Sequence, residues 1–260
     1  MRLILGLVTA LAIGILGGNE ARADKLQDIL SRGVVRIAVP GDFVPFGYVD
    51  ESRKLTGHDV ELAQMVADAL GVKLELEPAI SANRIPFLLT DKVDIVISNL
   101  GLTPERAKQV MFTQPYIDNF SGVYGPKNLK VTSAAELGTY KVAAAKGTNV
   151  ELALSKLNPD ANIMRTEDNP TSVLAYISGQ ADMLASVSAP MGQLMKDYPK
   201  TEFDLKFRIT RSPSHMAVQM DQHNLLHWLD SFLFVIKGDG RLNALHEKYF
   251  GMPASDLPNL

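Results

Sequence analysis

Two stretches of this chain repeat one another, and the repeat limits what the chain can fold into. Leu89-Thr90-Asp91-Lys92-Val93-Asp94-Ile95-Val96-Ile97-Ser98 is echoed by Ile177-Ser178-Gly179-Gln180-Ala181-Asp182-Met183-Leu184-Ala185-Ser186. Each reads as a helix end, a tight polar turn, and a strand entered through a small apolar residue and an aspartate. A second echo pairs Val35-Arg36-Ile37-Ala38-Val39-Pro40-Gly41 with Tyr140-Lys141-Val142-Ala143-Ala144-Ala145-Lys146-Gly147. Strand-turn-helix units share a grammar, so one echo would carry little. Two in matching order predict two similar lobes.

Strand and helix signals alternate from Gly33 onward. Val34 to Val39 is short and β-branched, and Pro40-Gly41 stops it. Asp59 to Leu70 places Val60, Ala63, Ala67 and Leu70 on one helical face, and Gly71 closes it. Val72 to Leu76 alternates as a strand, Ile85 to Leu89 makes a short helix, and Val93 to Ile97 reads as a buried strand. This alternation predicts an α/β fold of mostly parallel sheets covered by helices. The first lobe is expected to span 24–120 and the second 121–215, with the boundary near Ser121 to Pro126. Met216 to Met220 then reads as one more strand, followed by helices over Leu225 to Ile236 and Leu242 to Phe250. That tail has no strand set of its own, so residues 216–260 are expected to return and complete the first lobe. Two chain crossings make a two-strand hinge, and a hinge over a cleft is a ligand clamp.

The N-terminus sets the compartment. Arg2 precedes an apolar run from Leu3 to Leu16, and Ala21-Arg22-Ala23 supplies small residues for a signal peptidase. A membrane span needs about 20 apolar residues, and this run breaks earlier, at Gly17. Residues 1–23 are therefore read as a cleaved signal peptide. The chain has no cysteine, hence neither a disulfide nor a thiol for a lipid anchor. Such a freely diffusing exported protein fits a periplasm, as an unanchored monomer. Net charge is −3, without a basic run, so no nucleic-acid partner is expected.

Several residues carry candidate chemistry. Thr103 suits a helix N-cap, Pro104 the first helical position and Glu105 the positive helix start. That start lies beyond the carboxyl end of a strand, where open α/β sheets place ligands. Arg106 there supplies a planar fork that fits a carboxylate in bidentate fashion; spacing alone leaves open a solvated arginine paired with Glu105. Arg84, in Asn83-Arg84-Ile85-Pro86, sits where a loop turns into a short helix, and a surface arginine is its plain alternative. Lys146-Gly147-Thr148-Asn149 precedes a helix over Val150 to Leu157. Thr148 there is either a cap or an anion donor, and the two roles are compatible. Phe43, Phe46 and Tyr48 follow the first strand, placed either to wall a cleft or to fill a core. His223 and His227 have helical ligand spacing but no third ligand nearby, so no metal is expected. There is no cysteine nucleophile, phosphate-cradling glycine loop or Gly-x-Ser-x-Gly elbow, and no cofactor is expected.

Taken together, these stretches resemble the polar amino-acid family of bacterial solute-binding proteins, the periplasmic component of ABC importers. The landmarks are Val44-Pro45-Phe46, Gly57-His58-Asp59-Val60-Glu61-Leu62, Lys92-Val93-Asp94-Ile95, and Thr103-Pro104-Glu105-Arg106 with Phe112 and Pro115-Tyr116. Gly238-Asp239-Gly240-Arg241-Leu242 and Lys248-Tyr249-Phe250-Gly251 complete a match from about Leu26 to Gly251. The resemblance implies a type II periplasmic binding protein fold, a permease partner, and Arg106 as the clamp on a ligand carboxylate. It also implies Phe43 and Phe46 as cleft aromatics and Thr148 as a carboxylate-binding hydroxyl and amide. Asn83-Arg84-Ile85-Pro86 looks like the glutamate/aspartate-binding branch, in which the arginine faces an acidic side chain.

The chain departs from that pattern at the ligand's amine end. Pro40 and Gly41 stand where many members carry an acid, with Asp42 only nearby. Val187, flanked by Ser186 and Ser188, stands at a second acid position, and Asn99-Leu100-Gly101 replaces a segment that usually carries a hydroxyl. A buried ammonium without a carboxylate is costly. These departures fit a ligand lacking an α-amine, or an amine held by Asp42, Asn99 and carbonyl groups. The expectation is a receptor for a small carboxylate, an amino acid first and an acidic one if Arg84 reaches the pocket. The alternatives are a periplasmic enzyme similar to cyclohexadienyl dehydratases, which needs a general acid in the cleft, and a receptor for a signalling partner.

Overall fold

The computed structural model describes residues 24–254. The signal peptide read at 1–23 lies outside the described residues. Helix α1 (Lys25–Arg32) leads into β1 (Val34–Val39), and β2 (Tyr48–Val49) pairs with β3 (Leu55–Thr56) in a small ribbon. Next come α2 (His58–Leu70), β4 (Lys73–Pro78), α3 (Arg84–Leu89), β5 (Ile95–Gly101), α4 (Pro104–Ala107) and β6 (Val110–Ile117). The second half holds β7 (Phe120–Gly125), β8 (Val142–Ala145), α5 (Asn149–Leu157), β9 (Ile163–Thr166) and α6 (Asn169–Ile177). It continues through β10 (Met183–Val187), α7 (Met191–Asp197) and β11 (Asp204–Arg211). The tail is β12 (Ser214–Gln219), α8 (His223–Gly238) and α9 (Arg241–Phe250).

Two five-stranded sheets result, ordered β4-β1-β5-β12-β6 and β11-β7-β10-β8-β9. Read from the opposite edge, the second repeats the first: β9 matches β4, β8 matches β1, and β10 matches β5. Those last two are the strands whose sequences echo one another. In each sheet the strand–helix alternation supplies the parallel pairs, β4-β1-β5 and β9-β8-β10. The antiparallel pairs come from the strands that carry the chain between the sheets. The chain crosses over Asp118-Asn119 and returns over Ser212-Pro213. Sequence placed these passages at 121 and 216, inside β7 and β12, because a strand that begins at the crossing shows no composition break there.

Helix α2 lays Leu62, Ala63 and Val66 against Ile37 and Ile95. Fully burying one such aliphatic side chain contributes about 1.5–3 kcal/mol. Helix α5 covers β8 and β10 in the same way, with Leu154 against Val142 and Met183. Helix α8 packs on β6 and β12, and α9 on α2 and α8, so the tail completes the first sheet's cover.

The repeated aspartate does one job twice. Asp94 accepts from the Arg36 amide at 2.8 Å while its own amide donates to the Arg36 carbonyl at 2.8 Å. Asp182 accepts from the Lys141 amide at 2.7 Å while its amide donates to the Lys141 carbonyl at 2.8 Å. Each closes the mouth of a parallel strand pair, where the ladder would otherwise leave amides open. The settings differ, since Asp94 is buried and also holds Arg32 at 2.6 Å and Arg36 at 2.8 Å, whereas Asp182 is exposed. Asp94→Ala is therefore expected to lower unfolding stability by about 2–3 kcal/mol and Asp182→Ala by about 1 kcal/mol. Urea titration of both variants measures the difference.

Candidate ligand-binding site

Between the two sheets lies a small cavity of about 30 Å³, lined from both halves of the chain. Phe43, Ser81, Arg84, Asn99, Gly101 and Arg106 come from the first half, and Thr148, Asn149, Asn169, Ser186 and Ser212 from the second half and its return crossing. It opens beside a larger, mostly apolar cavity of about 1020 Å³ that shares Ser81, Arg106 and Asn149 as a wall.

Arg106 is delivered by α4. Thr103 accepts from the Arg106 amide at 3.2 Å, and Pro104 opens the helix, as its sequence predicts. That hydroxyl occupies a helix-start N–H, so the attraction for an anion comes from the guanidinium. Its Nη1 donates to the Gly101 carbonyl at 2.7 Å, and its Nη2 donates to the Gly147 carbonyl at 2.9 Å. Gly147 belongs to the opposite half, so one side chain bridges the cleft. Burial lowers this guanidinium's pKa.

Arg84 reaches the same cavity from the start of α3 and is only 5% exposed. Its Nη1 donates to the Asn99 carbonyl at 3.4 Å, and its Nε has no partner. Burial, then the like charge of Arg106, push it down to about 10, still charged at neutral pH. Asn99 sits at φ 42°, a left-handed conformation that asparagine tolerates better than most residues. Its amide donates to Asp59 at 2.7 Å and its side-chain oxygen accepts from Ser214 at 2.6 Å. The Asn99 carboxamide thus serves the hinge, and only its backbone carbonyl meets a pocket cation.

Thr148 lines the cavity but is already committed: its hydroxyl donates to the Ala145 carbonyl at 2.8 Å and accepts from the Glu151 amide at 3.1 Å. Gly101 lets the halves approach, because a Cβ there would lie 2.9 Å from the Ser212 hydroxyl and 3.0 Å from Asn149 Nδ2. Ser186 lines the cavity from β10 beside Val187.

Two residues read as site candidates do not line this cavity. Phe46 is fully buried in the core, its ring 5.6 Å from that of Phe250. The Asp59 and His58 amides at the start of α2 donate to the Phe46 and Pro45 carbonyls, which turns Phe46 inward and leaves Phe43 for the cleft. Asp42 stays half-buried outside the lining, and its carboxyl is pushed up by burial and by the charge of Asp168. Solvation holds a carboxylate at such a position more cheaply than a dry cavity would. Sequence reasoning missed Ser81, Asn149, Asn169 and Ser212. Asn149 stood inside a quoted stretch, whereas Ser212 acquires its place only when the chain crosses back.

The model for the bacterial extracellular solute-binding proteins, family 3, matches residues 35–252. The chain belongs to that family. Within it, the chain is 27% identical to the L-cystine-binding protein TcyJ of Escherichia coli, over 94% of each chain. It is 30% identical to cyclohexadienyl dehydratase of Pseudomonas aeruginosa, over 94% of this chain and 92% of that one. The solved L-cysteine solute receptor of Neisseria gonorrhoeae superposes with a TM-score of 0.81 at 34% identity, covering 86% of this chain and 92% of that one. The fold is that of the type II periplasmic binding proteins, and among the described residues no helix is long and apolar enough to cross a membrane.

Thr148→Ala removes the α5 cap and is expected to cost about 1 kcal/mol, with Thr148→Ser restoring most of it. Thermal melts of the two variants test whether the hydroxyl is structural as well as cavity-lining.

Proposed function

We propose that this protein is a periplasmic solute receptor. It is exported by a signal peptide and captures a small carboxylate compound between its two lobes. It acts as a monomer and hands its ligand to the permease of an ABC importer. The observation that carries this reading is the Arg106 fork, which sits on two carbonyls drawn from opposite halves of the chain. A carboxylate offers two acceptors in the plane the fork prefers, and a charged acceptor binds it more strongly than a neutral carbonyl. The ligand would take over the fork and itself bridge the lobes, so that closure and binding become one event.

The family relationship supports a binding role, and the similarity to a dehydratase keeps an enzyme in view. An enzyme on this fold needs a general acid facing the ligand, and among the described residues no Asp or Glu lines the small cavity. Absence of prephenate and arogenate turnover is the expected result, and turnover of either would favour the enzyme.

Arg106→Ala is expected to abolish carboxylate binding. A ligand at 100-fold its dissociation constant stabilises the parent by about 2.7 kcal/mol. A thermal-shift screen of amino acids and amine-free acids should therefore show a response that vanishes in the variant. Unchanged affinity by calorimetry would overturn the assignment.

A further inference from the structure

The small cavity is one-sided in charge. Arg84 and Arg106 both line it, and no Asp or Glu among the described residues does. Their burial is nearly complete, at 5% and 9% exposure. Neither guanidinium forms an ion pair with a described carboxylate. Arg106 rests on two carbonyls, whereas Arg84 has one long bond to a carbonyl and a buried Nε with no partner. Two acids favour the Arg84 charge from a distance, Asp59 and then Asp42; the Asp59 oxygens are engaged by the His58 ring at 3.0 Å and the Asn99 amide at 2.7 Å. The other polar side chains around the space are hydroxyls and carboxamides, among them Ser81, Asn149, Asn169, Ser186 and Ser212. The Ser81 hydroxyl is itself buried without a partner.

Two like charges brought together out of water repel one another and lack hydration, and a fixed anion is what relieves both penalties. One carboxylate on Arg106 relieves one of them. A cationic group on the ligand would add a third positive charge where nothing negative lines the wall. Asp42, the acid placed by sequence to receive an ammonium, stands outside the lining.

We infer that the ligand carries two anionic groups and no ammonium: an amine-free dicarboxylate, one carboxylate on Arg106 and the second on Arg84. This rests on the reading of Arg106 as the carboxylate clamp and names the ligand class that clamp serves. Arg84 is the residue that selects two charges over one.

The test is calorimetry on the purified protein with matched pairs: succinate against aspartate, glutarate against glutamate, and butyrate, alanine and glutamine as ligands with a single carboxylate. At least one amine-free dicarboxylate should bind 10-fold or more tightly than its amino counterpart. Arg84→Gln should weaken that dicarboxylate about 100-fold, a much larger loss than it causes for butyrate, and Arg84→Lys should recover part of the loss. Melting curves of the unliganded variants show that each is folded. If every dicarboxylate fails to bind, the inference is overturned. Tighter binding of the amino counterparts, or an Arg84→Gln variant with unchanged dicarboxylate affinity, overturns it too. Arg106→Gln separates the two claims. Loss of all carboxylate binding in that variant with no effect of Arg84→Gln sinks only the dicarboxylate inference. Unchanged binding in Arg106→Gln sinks the clamp as well.

Discussion

The guanidinium of Arg106 donates to Gly101 on its own half and to Gly147 on the other, and the geometry of the cleft follows from that pair of bonds. A side chain that spans two lobes must be short of competing partners and must meet a facing backbone close enough to donate to it. The absence of a Cβ at Gly101 allows that approach, with the Ser212 hydroxyl and Asn149 carboxamide filling the space a side chain would take. The Thr103 cap and Pro104 hold the short helix that aims the fork. Each of these features is local in sequence, yet their result is an interaction across the molecule.

Closing two lobes over two cations is unfavourable unless something offsets it. Burial disfavours the charged form of both arginines, and Arg106 adds repulsion to Arg84. Carbonyls supply a partial counterweight, since a neutral acceptor is weaker than a charged one. On the proposed reading an anionic ligand would have a differential affinity for the closed arrangement, which is the only means by which a ligand can shift a conformational equilibrium. The same charge that makes closure costly without ligand would make it selective with one.

Much of this was legible in the sequence, and the reason is periodicity. The paired echoes became β1 with β8 and β5 with β10, because an aspartate entering a parallel strand has the same hydrogen-bonding work to do in either lobe. The Thr103 and Thr148 caps were readable because capping is decided within three residues. Phe46 was not, because its direction depends on the distant amides of α2 that fasten its backbone. Asp42 was not, because proximity along the chain says nothing about which side of a turn a carboxylate takes. Ser212 could be placed only by knowing where the chain returns.

Asn99 ties the hinge to the pocket. Asn119, in the first crossing, donates to the Asn99 side-chain oxygen at 3.3 Å and accepts from the Ala189 amide of the second lobe at 3.2 Å. Ser214, at the end of the return crossing, donates to that same Asn99 oxygen at 2.6 Å. Both crossings thus converge on one carboxamide, while the carbonyl of the same residue receives Arg84. The positive φ of Asn99 turns its carboxamide and its carbonyl to these separate tasks, and the Asp59 bond to its amide holds the conformation from the core side. A rotation at the hinge that disturbed this carboxamide would strain the backbone bearing the carbonyl under Arg84. The two crossings and the carbonyl under Arg84 are in this way held by one network rather than by separate parts.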